Sequence, residues 1–522
     1  MRLNIYITGF MGAGKTVVGK RLAHLLKRPF LDMDELIAIE SGMSVESFFE
    51  IRGEDQFRQM ETQLLERLAG QNGLIVSTGG GVPEKAVNRH IMRKSGAIVY
   101  LETPLDDCLA RIKSDGGPSR PLYKERDAVR ALYERRSAVY ADHDVLVHTH
   151  ETSPDELAWR ICEKMRPELS MTVQLGRRSH NLIIAWNSSE RLSPFIKKGQ
   201  TFVITDAHVL KALEPRLNGV LDDCPLASLR PGERSKTLGT AKRLYESMLG
   251  RNLERDGLVI AIGGGVVTDL GAFVASTYKR GVPFVLVSTS LVGCVDAAIG
   301  GKAAVNLGEV KNAVGCFTTP DAVILDVRAL HSLPARNITD GLVEAYKTGL
   351  VAEPSLAALI EDDLCQLLKG DVLLLRDVIR LAASAKAEIV KKDFREAGLR
   401  KILNFGHTYG HAVEGVHGYR VSHGVSVAIG MMVAISLSQQ RGLMSPARSE
   451  EIFSTLSCFL PQRVQLPRGA QAWSIMRNDK KNAGGHITFV LLPEDGRPRV
   501  VHDVTPDELE RAIQEVEGFL NG

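Results

Sequence analysis

The sequence has no cysteine pair in CxxC spacing, and its seven cysteines are scattered and odd in number. That excludes a disulfide framework and a structural zinc ribbon, and it fits a reducing compartment, so a cytoplasmic protein is expected. There is also no run of apolar residues long enough for a membrane helix. The longest weakly polar stretch, Val425–Leu437, falls short of the ~18 residues required. The segment after Met1 is interrupted by Gly9, Gly12, Gly14 and Lys15, unlike the apolar centre of a signal peptide. A net charge of either sign is nearly missing too: 65 basic side chains face 62 acidic ones. With no strong overall field, neither nucleic acid nor a membrane surface is expected as a partner, and any anion must be recognised locally. No internal repeat or low-complexity segment is present.

What the sequence does have is the balance of an ordinary globular protein, 44% apolar and 24% charged. Its 522 residues are too many for one core and suggest about three or four domains. Leu3–Thr8 reads as a buried strand, followed by a glycine-rich turn and a helical pattern over Lys15–Leu26. Further strands are expected at Leu74–Ser77, Ala97–Leu101 and Val145–His148, alternating with helices as in a parallel sheet covered on both faces. A short Pro-containing connection over Met165–Ser170 then separates a second series. Its expected strands are Asn181–Ala185, Phe202–Thr205, Leu258–Ile262 and Phe284–Ser288, with a helix at Thr237–Leu249. From about Leu333 helical patterns take over, including Val372–Lys392 and Val425–Gln440. The expected division is 1–167, α/β; 168–332, α/β; and 333–522, mainly helical.

Gly9-Phe-Met-Gly-Ala-Gly-Lys15-Thr16 matches G-x-x-x-x-G-K-[ST] between a strand and a helix. In that setting backbone N–H groups cradle phosphates, the lysine reaches the outer phosphates and the threonine hydroxyl serves Mg²⁺. The motif identifies a nucleotide and leaves the reaction open. Asp32-x-Asp34, Arg58 in Glu54-Asp-Gln-Phe-Arg58-x-x-Glu61, Gly79-Gly80-Gly81, Arg120 in Arg-Pro-Leu and Arg136 narrow it. Phosphoryl transfer needs positioning and charge neutralisation, which carboxylates near Mg²⁺ and arginines around the acceptor provide. In this order the set resembles shikimate kinase over residues 1–165.

That resemblance implies a P-loop kinase with an NMP-kinase-like parallel sheet, using ATP with Mg²⁺. ATP would be bound by Gly12, Ala13, Gly14, Lys15, Thr16 and the lid residue Arg120, and Mg²⁺ by Thr16 and Asp32. Shikimate would be held by Asp34, Arg58, Gly80, Gly81 and Arg136, with Lys15, Asp34 and Arg120 catalytic and Asp34 the base for the attacking hydroxyl. One departure is Ser137-Ala-Val, where the family usually has a proline.

The second series runs from a strand into Gly263-Gly264-Gly265 and then Asp269, a turn that lets a pyrophosphate approach a helix N-terminus. Asp206 and the segment Pro231-Gly232-Glu233-Arg-Ser-Lys236 add groups suited to ribose hydroxyls and phosphates. Farther on stand Glu344-x-x-Lys347, Gly406-His407-Thr-Tyr-Gly-His411 and His423. His407 and His411 are four apart and share a helix face; two imidazoles with one carboxylate make a catalytic zinc set with an open position. The spacing leaves open which two histidines bind. Arg280, Asp296, Lys302, Lys311, Asn312, Lys386, Glu396, Arg400, Asn404 and Asp479-Lys480-Lys481 suggest a substrate with both phosphate and carboxylate.

This ordered set resembles 3-dehydroquinate synthase over about residues 170–500. The resemblance implies an α/β nucleotide-binding domain followed by a helical metal-binding domain, a homodimer, and NAD with Zn²⁺ or Co²⁺. The reaction would turn 3-deoxy-D-arabino-heptulosonate 7-phosphate into 3-dehydroquinate and phosphate, with NAD regenerated within the cycle. It assigns the metal to Glu344, His407 and His423, and catalysis to His411, Lys302 and Lys347. NAD would be held by Asp206, Glu233, Lys236, Gly264, Gly265, Asp269, Thr289, Ser290, Lys302 and Lys311. The heptulosonate phosphate would meet Asp296, Lys302, Lys311, Asn312, Lys347, Lys386, Arg400, Asn404, His411 and Lys480, with Arg280 arriving from a neighbouring subunit.

The chain departs from the family at Thr268, Ser288, Ser290, Ala297, Ala298 and Phe394; the hydroxyls lost beside Asp296 and the carboxylate lost beside Asp393 are expected to weaken local hydrogen bonds. Rival readings are a related sugar-phosphate cyclase, an NAD-dependent metal alcohol dehydrogenase, or a half that is catalytically silent.

Overall fold

The computed structural model describes residues 3–114, 126–308, 310–418, 420–461, 464–477 and 487–521, so Arg120 and Lys480 lie outside the described residues. The chain forms two compact units, Met1–Pro167 and Glu168–Gly522.

In the first unit, strands β1 (Asn4–Thr8), β2 (Phe30–Asp32), β3 (Ile75–Ser77), β4 (Gly96–Glu102) and β5 (Val145–His148) form one sheet. Its order is β2-β3-β1-β4-β5, and every pair is parallel. The fully buried residues of β1 explain its unbroken apolar run, since a strand covered on both faces has no polar alternation. Tyr6, Val76 and Ile98 pack with Met33, Ile37, Phe48, Phe57, Leu64 and Leu65 in one core cluster. Strand order reverses at β1, so the crevice beyond its carboxyl end is where an open α/β sheet receives its ligand. β2 was not among the expected strands; its three residues run straight into the helix Met33–Ser41 with no turn between, yet it delivers Asp32.

The connection to the second unit is shorter than expected. The helix Pro154–Met165 is followed directly by strand β6 (Leu169–Leu175), so Ser170 belongs to a strand. β6 pairs antiparallel with β7 (Arg178–Ala185). The sheet continues with β8 (Thr201–Asp206), β9 (Leu226–Leu229), β10 (Leu258–Gly263) and β11 (Phe284–Ser288). An antiparallel hairpin, β12 (Lys302–Leu307) and β13 (Val310–Phe317), precedes β14 (Ala322–Asp326). The seven-stranded order is β6-β7-β14-β11-β10-β8-β9, with all pairs parallel except β6–β7. Here the order switches between β8 and β10, placing Asp206 and the glycines after Ile262 on one crevice.

Helices dominate from Ala335 onward. Val372–Lys392 has the expected bounds, while the helix expected at Val425 begins at His423 and runs to Gln440. Its residues are buried nearly all round, which accounts for its low polarity by packing within the protein. Among the described residues no helix is long and apolar enough to cross a membrane.

Candidate active sites

In the first unit the turn after β1 is shaped by backbone that side chains would obstruct. Gly12 and Gly14 take φ of 77° and 90°, and a Cβ on Gly12 would lie 2.5 Å from the Cys108 carbonyl oxygen. Lys15 opens the following helix and donates to the carbonyls of Gly9 and Phe10, both at 3.0 Å. Burial lowers its pKa while Asp34 and Asp32 pull it upward, so a cation is held beside the loop by two carboxylates. Thr16 Oγ1 donates to Asp32 Oδ2 at 2.7 Å, and Asp32 Oδ1 caps the next helix through the Asp34 N–H at 3.0 Å. A hydroxyl and a carboxylate side by side are oxygen donors suited to Mg²⁺. Arg111 Nη1 donates to the Ala13 carbonyl at 3.2 Å, a contact with the loop that no motif had signalled.

The glycine triplet brings the acceptor residues together. A Cβ on Gly79 would meet Asp34 Oδ1 at 2.6 Å and Glu61 Oε1 at 2.8 Å, one on Gly80 would meet Arg136 Nη1 at 3.3 Å, and one on Gly81 Arg58 Nη1 at 2.0 Å. Only a chain without side chains there lets Asp34, Arg58 and Arg136 line one backbone. Arg58 donates to Glu61 at 2.8 Å, and Arg136 to Glu84 at 2.8 Å. Burial raises the pKa of Glu61, partly offset by Arg58. Tyr140 Oη donates to the Gly80 carbonyl at 2.6 Å, in the helix that carries Ser137, whose hydroxyl bonds back to Tyr133 O at 2.8 Å.

In the second unit Gly264 caps the helix Gly265–Thr277, and a Cβ on it would lie 3.2 Å from Ser290 Oγ. That narrow backbone approach fits a dinucleotide's pyrophosphate. Thr289 is buried and its N–H donates to Gly263 O at 3.0 Å. Asp206 caps the helix after β8 through the His208 and Val209 N–H groups. Lys236 bridges Asp269 (2.5 Å) and Asn312 (2.6 Å), and Glu233 accepts from Asn306 at 2.8 Å. Asn312 sits in the left-handed region, φ 53°, with its N–H on Asn306 Oδ1 at 2.8 Å. Its neighbour Lys311 donates instead to Glu414, at 3.3 Å. The hairpin thus touches two charge networks through consecutive residues.

Three helices supply the metal candidates: Glu344 from Ala335–Ala352, His407 from His407–Val416 and His423 from His423–Gln440. Their ligand atoms all lie within 4.8 Å of one another. The last two helices approach closely because of glycine: a Cβ on Gly406 (φ 77°) would lie 2.5 Å from Met431 Cγ, and one on Gly430 would lie 1.8 Å from Gly406 O. Asp340, one turn before Glu344, accepts from Ser422 Oγ (2.6 Å) and the Gly424 N–H (3.1 Å), tying the start of the His423 helix to the Glu344 helix. Glu344 Oε1 is buried without a hydrogen bond, 3.2 Å from His423 Nε2 and 3.7 Å from His407 Nε2. A buried carboxylate oxygen facing two imidazole nitrogens fits a cation such as Zn²⁺ or Co²⁺. His407 Nδ1 contacts Phe405 O at 3.2 Å, and His423 Nδ1 contacts Glu414 Oε1 at 2.7 Å. Burial opposes charge on His423, but carboxylates on either side raise its pKa to about 10. The His411 ring lies 5.6 Å from that of His407 and is not in the three-residue set.

Around these candidate ligands lie the lysines. Lys347 is buried against Glu344 Oε2. Lys386 donates to Asp296 Oδ1 at 2.5 Å; burial brings its pKa down to about 8 despite that carboxylate. Lys302 pairs with Glu396, which also accepts from Asn404 at 2.8 Å. Arg400 Nη1 donates to the carbonyls of Gly300 (3.0 Å) and Phe394 (2.8 Å). Arg280 stands apart, exposed on the turn Tyr278–Arg280 and, among the described residues, not joined to this network.

The family departures are absorbed by packing rather than leaving polar groups stranded. Phe394 meets Phe317 edge-on at 5.3 Å. Asp393 alone receives the N–H groups of Ala397, Gly398 and Arg400. Thr268 Oγ1 bonds back to the carbonyls of Gly264 and Gly265, and Ser290 Oγ accepts from the Gly293 N–H at 3.2 Å. Sequence reasoning gave no role to Glu61, Glu84, Asp340 or Glu414; nothing local distinguishes these carboxylates from solvated ones.

The shikimate kinase family model matches residues 11–166, and models of the N-terminal and C-terminal parts of 3-dehydroquinate synthase match 226–340 and 341–482. A bifunctional shikimate kinase/3-dehydroquinate synthase of Thermotoga maritima is 30% identical over 511 residues, 97% of this chain and 99% of that protein. A 3-dehydroquinate synthase of Thermoanaerobacter pseudethanolicus is 39% identical over 345 residues, 63% of this chain and 96% of its own. Among solved structures, the 2-epi-5-epi-valiolone synthase of Streptomyces hygroscopicus with NAD⁺ and Zn²⁺ bound aligns with a TM-score of 0.61 and 26% identity, covering 66% of this chain and 99% of that one. With both enzymes matched in order, and a two-enzyme relative matched almost from end to end, the chain belongs to the bifunctional shikimate kinase/3-dehydroquinate synthase family.

Proposed function

We propose that the two geometric clusters are the two active sites of this bifunctional enzyme. The first phosphorylates shikimate from ATP; the second converts 3-deoxy-D-arabino-heptulosonate 7-phosphate to 3-dehydroquinate and phosphate. The observation that carries the reading is that each cluster brings chemically matched groups together. One has the phosphate loop with Asp34, Arg58 and Arg136 on one glycine triplet; the other has Glu344, His407 and His423 beside buried lysines.

In the first site Lys15 and the loop N–H groups hold the outer phosphates, Thr16 and Asp32 hold Mg²⁺, and Arg58 and Arg136 pair with the substrate carboxylate. Asp34 takes the proton of the attacking hydroxyl. In the second, Asp206, Glu233, Lys236, Gly264, Gly265, Asp269, Thr289, Ser290, Lys302 and Lys311 hold NAD, and Glu344, His407 and His423 hold Zn²⁺ or Co²⁺. When bound, NAD supplies reversible hydride transfer and the metal supplies Lewis acidity at the neighbouring oxygen. The chain's own part is orientation. Asp296, Lys302, Lys311, Asn312, Lys347, Lys386, Arg400 and Asn404 fix the hydroxyls, carboxylate and phosphate, and His411 hydrogen-bonds the substrate and handles a proton. We further read the second unit as a dinucleotide part, 168–332, and a helical metal part, 333–522. We read its assembly as a homodimer in which the exposed Arg280 reaches the neighbouring subunit's site.

The test is ATP-dependent phosphorylation of shikimate beside phosphate release from the heptulosonate phosphate, with and without chelator. Both activities are expected, with a metal-specific chelator abolishing the second. Absence of one activity in folded protein would identify a silent half and refute the reading for it.

A further inference from the structure

We propose that Glu414 is the positioning residue of the metal centre, aiming His423 with one carboxylate oxygen while its other oxygen holds Lys311 of the β12–β13 hairpin. Glu414 is seven residues beyond His407 on the same helix, so both project from one face. That helix therefore supplies one ligand directly and governs the second from the side. Glu414 Oε1 lies 2.7 Å from His423 Nδ1, and Oε2 accepts from Lys311 Nζ at 3.3 Å. The carboxylate is 6% exposed, so most of its surface is withdrawn from water.

The chemical consequence follows from the two nitrogens of one ring. A neutral imidazole, the form that ligates a metal, carries its lone pair on Nε2 when Nδ1 donates to Glu414, and Nε2 is the atom that faces Glu344 Oε1 at 3.2 Å. With the opposite tautomer a proton would fill the space between them. His407 has its own guide in the Phe405 carbonyl, 3.2 Å from Nδ1. Glu414 is the corresponding guide for His423. Because its second oxygen is committed to Lys311, the carboxylate cannot rotate to a different partner without breaking that ion pair, which keeps its first oxygen on the ring.

This inference rests on the reading of Glu344, His407 and His423 as metal ligands. It is tested on the full chain, stripped of metal and titrated with zinc alone against a competing chelator, and with cobalt(II) alone for its visible spectrum. Glu414→Ala is expected to bind zinc 10–100-fold more weakly than the parent and to change the cobalt spectrum. Glu414→Gln, whose amide oxygen still accepts from Nδ1–H, is expected to fall between them. Circular dichroism of the metal-free chains separates positioning from folding: the Ala variant should keep the parent's helical signal. If the parent binds no zinc, the metal reading itself fails. If the parent binds and Glu414→Ala binds within threefold of it, or if the metal-free variant loses its helices, the positioning role is overturned.

Discussion

Gly430 is where the two histidine-bearing helices come closest, and replacing it with alanine tests whether that approach builds the metal site. The added methyl would lie 1.8 Å from Gly406 O and 2.8 Å from Gly410 N. Carbon and carbonyl oxygen normally meet at ~3.3 Å, so the helices must part locally by ~1.5 Å. Both obstacles are backbone, so no side chain can swing aside. Overpacking of this kind costs about 1–3 kcal/mol, against about 1 kcal/mol regained from alanine's helix propensity. The backbone position of the clash favours the upper end, a net loss of about 2 kcal/mol. Metal geometry is less forgiving: ligand distances tolerate only about 0.2 Å, so zinc affinity should fall by at least about tenfold. Gly518→Ala is the paired control, because no heavy atom lies within 4 Å of its new methyl, and it should add up to about 1 kcal/mol. Urea unfolding followed by circular dichroism, with zinc retained after dialysis, reads both. Kinase turnover, whose residues lie in the other unit, should be unchanged in each. A Gly430→Ala protein with the parent's unfolding midpoint and zinc content would refute the argument.

Lys15→Ala should abolish kinase turnover and leave synthase turnover intact; parallel assays on folded protein that showed both lost would contradict two separate sites. His423→Ala should lose metal and synthase activity together, while His411→Ala keeps metal and turns over slowly, as metal content of the purified variants will show. His180 is buried with no hydrogen bond at either ring nitrogen, and burial lowers its pKa to about 4. Its folded pKa lies below the unfolded value, so stability is full above about pH 6.5 and declines as pH falls toward 4, by about 2 kcal/mol between pH 7 and 5. His180→Leu should remove that part of the acid sensitivity of the urea midpoint, and an unchanged pH dependence would show that the histidine is not its source. The chain cut between Arg166 and Pro167 should give two pieces, each active within a few-fold of the parent; restoration of activity only on mixing would reveal catalytic coupling.

How far the sequence could be read depended on whether a feature is dictated locally. The phosphate loop is, because the left-handed backbone at Gly12 and Gly14 and the lysine that follows are fixed within eight positions. His407 and His411 announced themselves by helical spacing, yet that spacing could not exclude His411. The choice depends on where the Glu344 helix lies, and Asp340, one turn from Glu344, pins the His423 helix to it. Buried carboxylates such as Glu61 and Glu414 look like surface charges until their partners are known. β2 was hidden because it passes into the helix at Met33 with no turn between. The start of β6 was hidden by Pro167, which reads as a linker although a strand begins two residues later. Phe394 appeared as a lost carboxylate because its new partner, Phe317, is distant in sequence.

Asn312 bears on the mutational freedom of the hairpin. It must adopt φ 53° and present a carbonyl oxygen 2.6 Å from Lys236 Nζ. Glycine would meet the first demand and lose the second; glutamine would supply a carbonyl but resist the left-handed backbone. Aspartate would place a second carboxylate beside a lysine already paired with Asp269. Aspartate comes nearest to meeting both demands, since it tolerates the left-handed backbone and presents an accepting oxygen, and the second carboxylate is its cost. Leu307 and Val310, exposed at the turn of the same hairpin, carry neither demand.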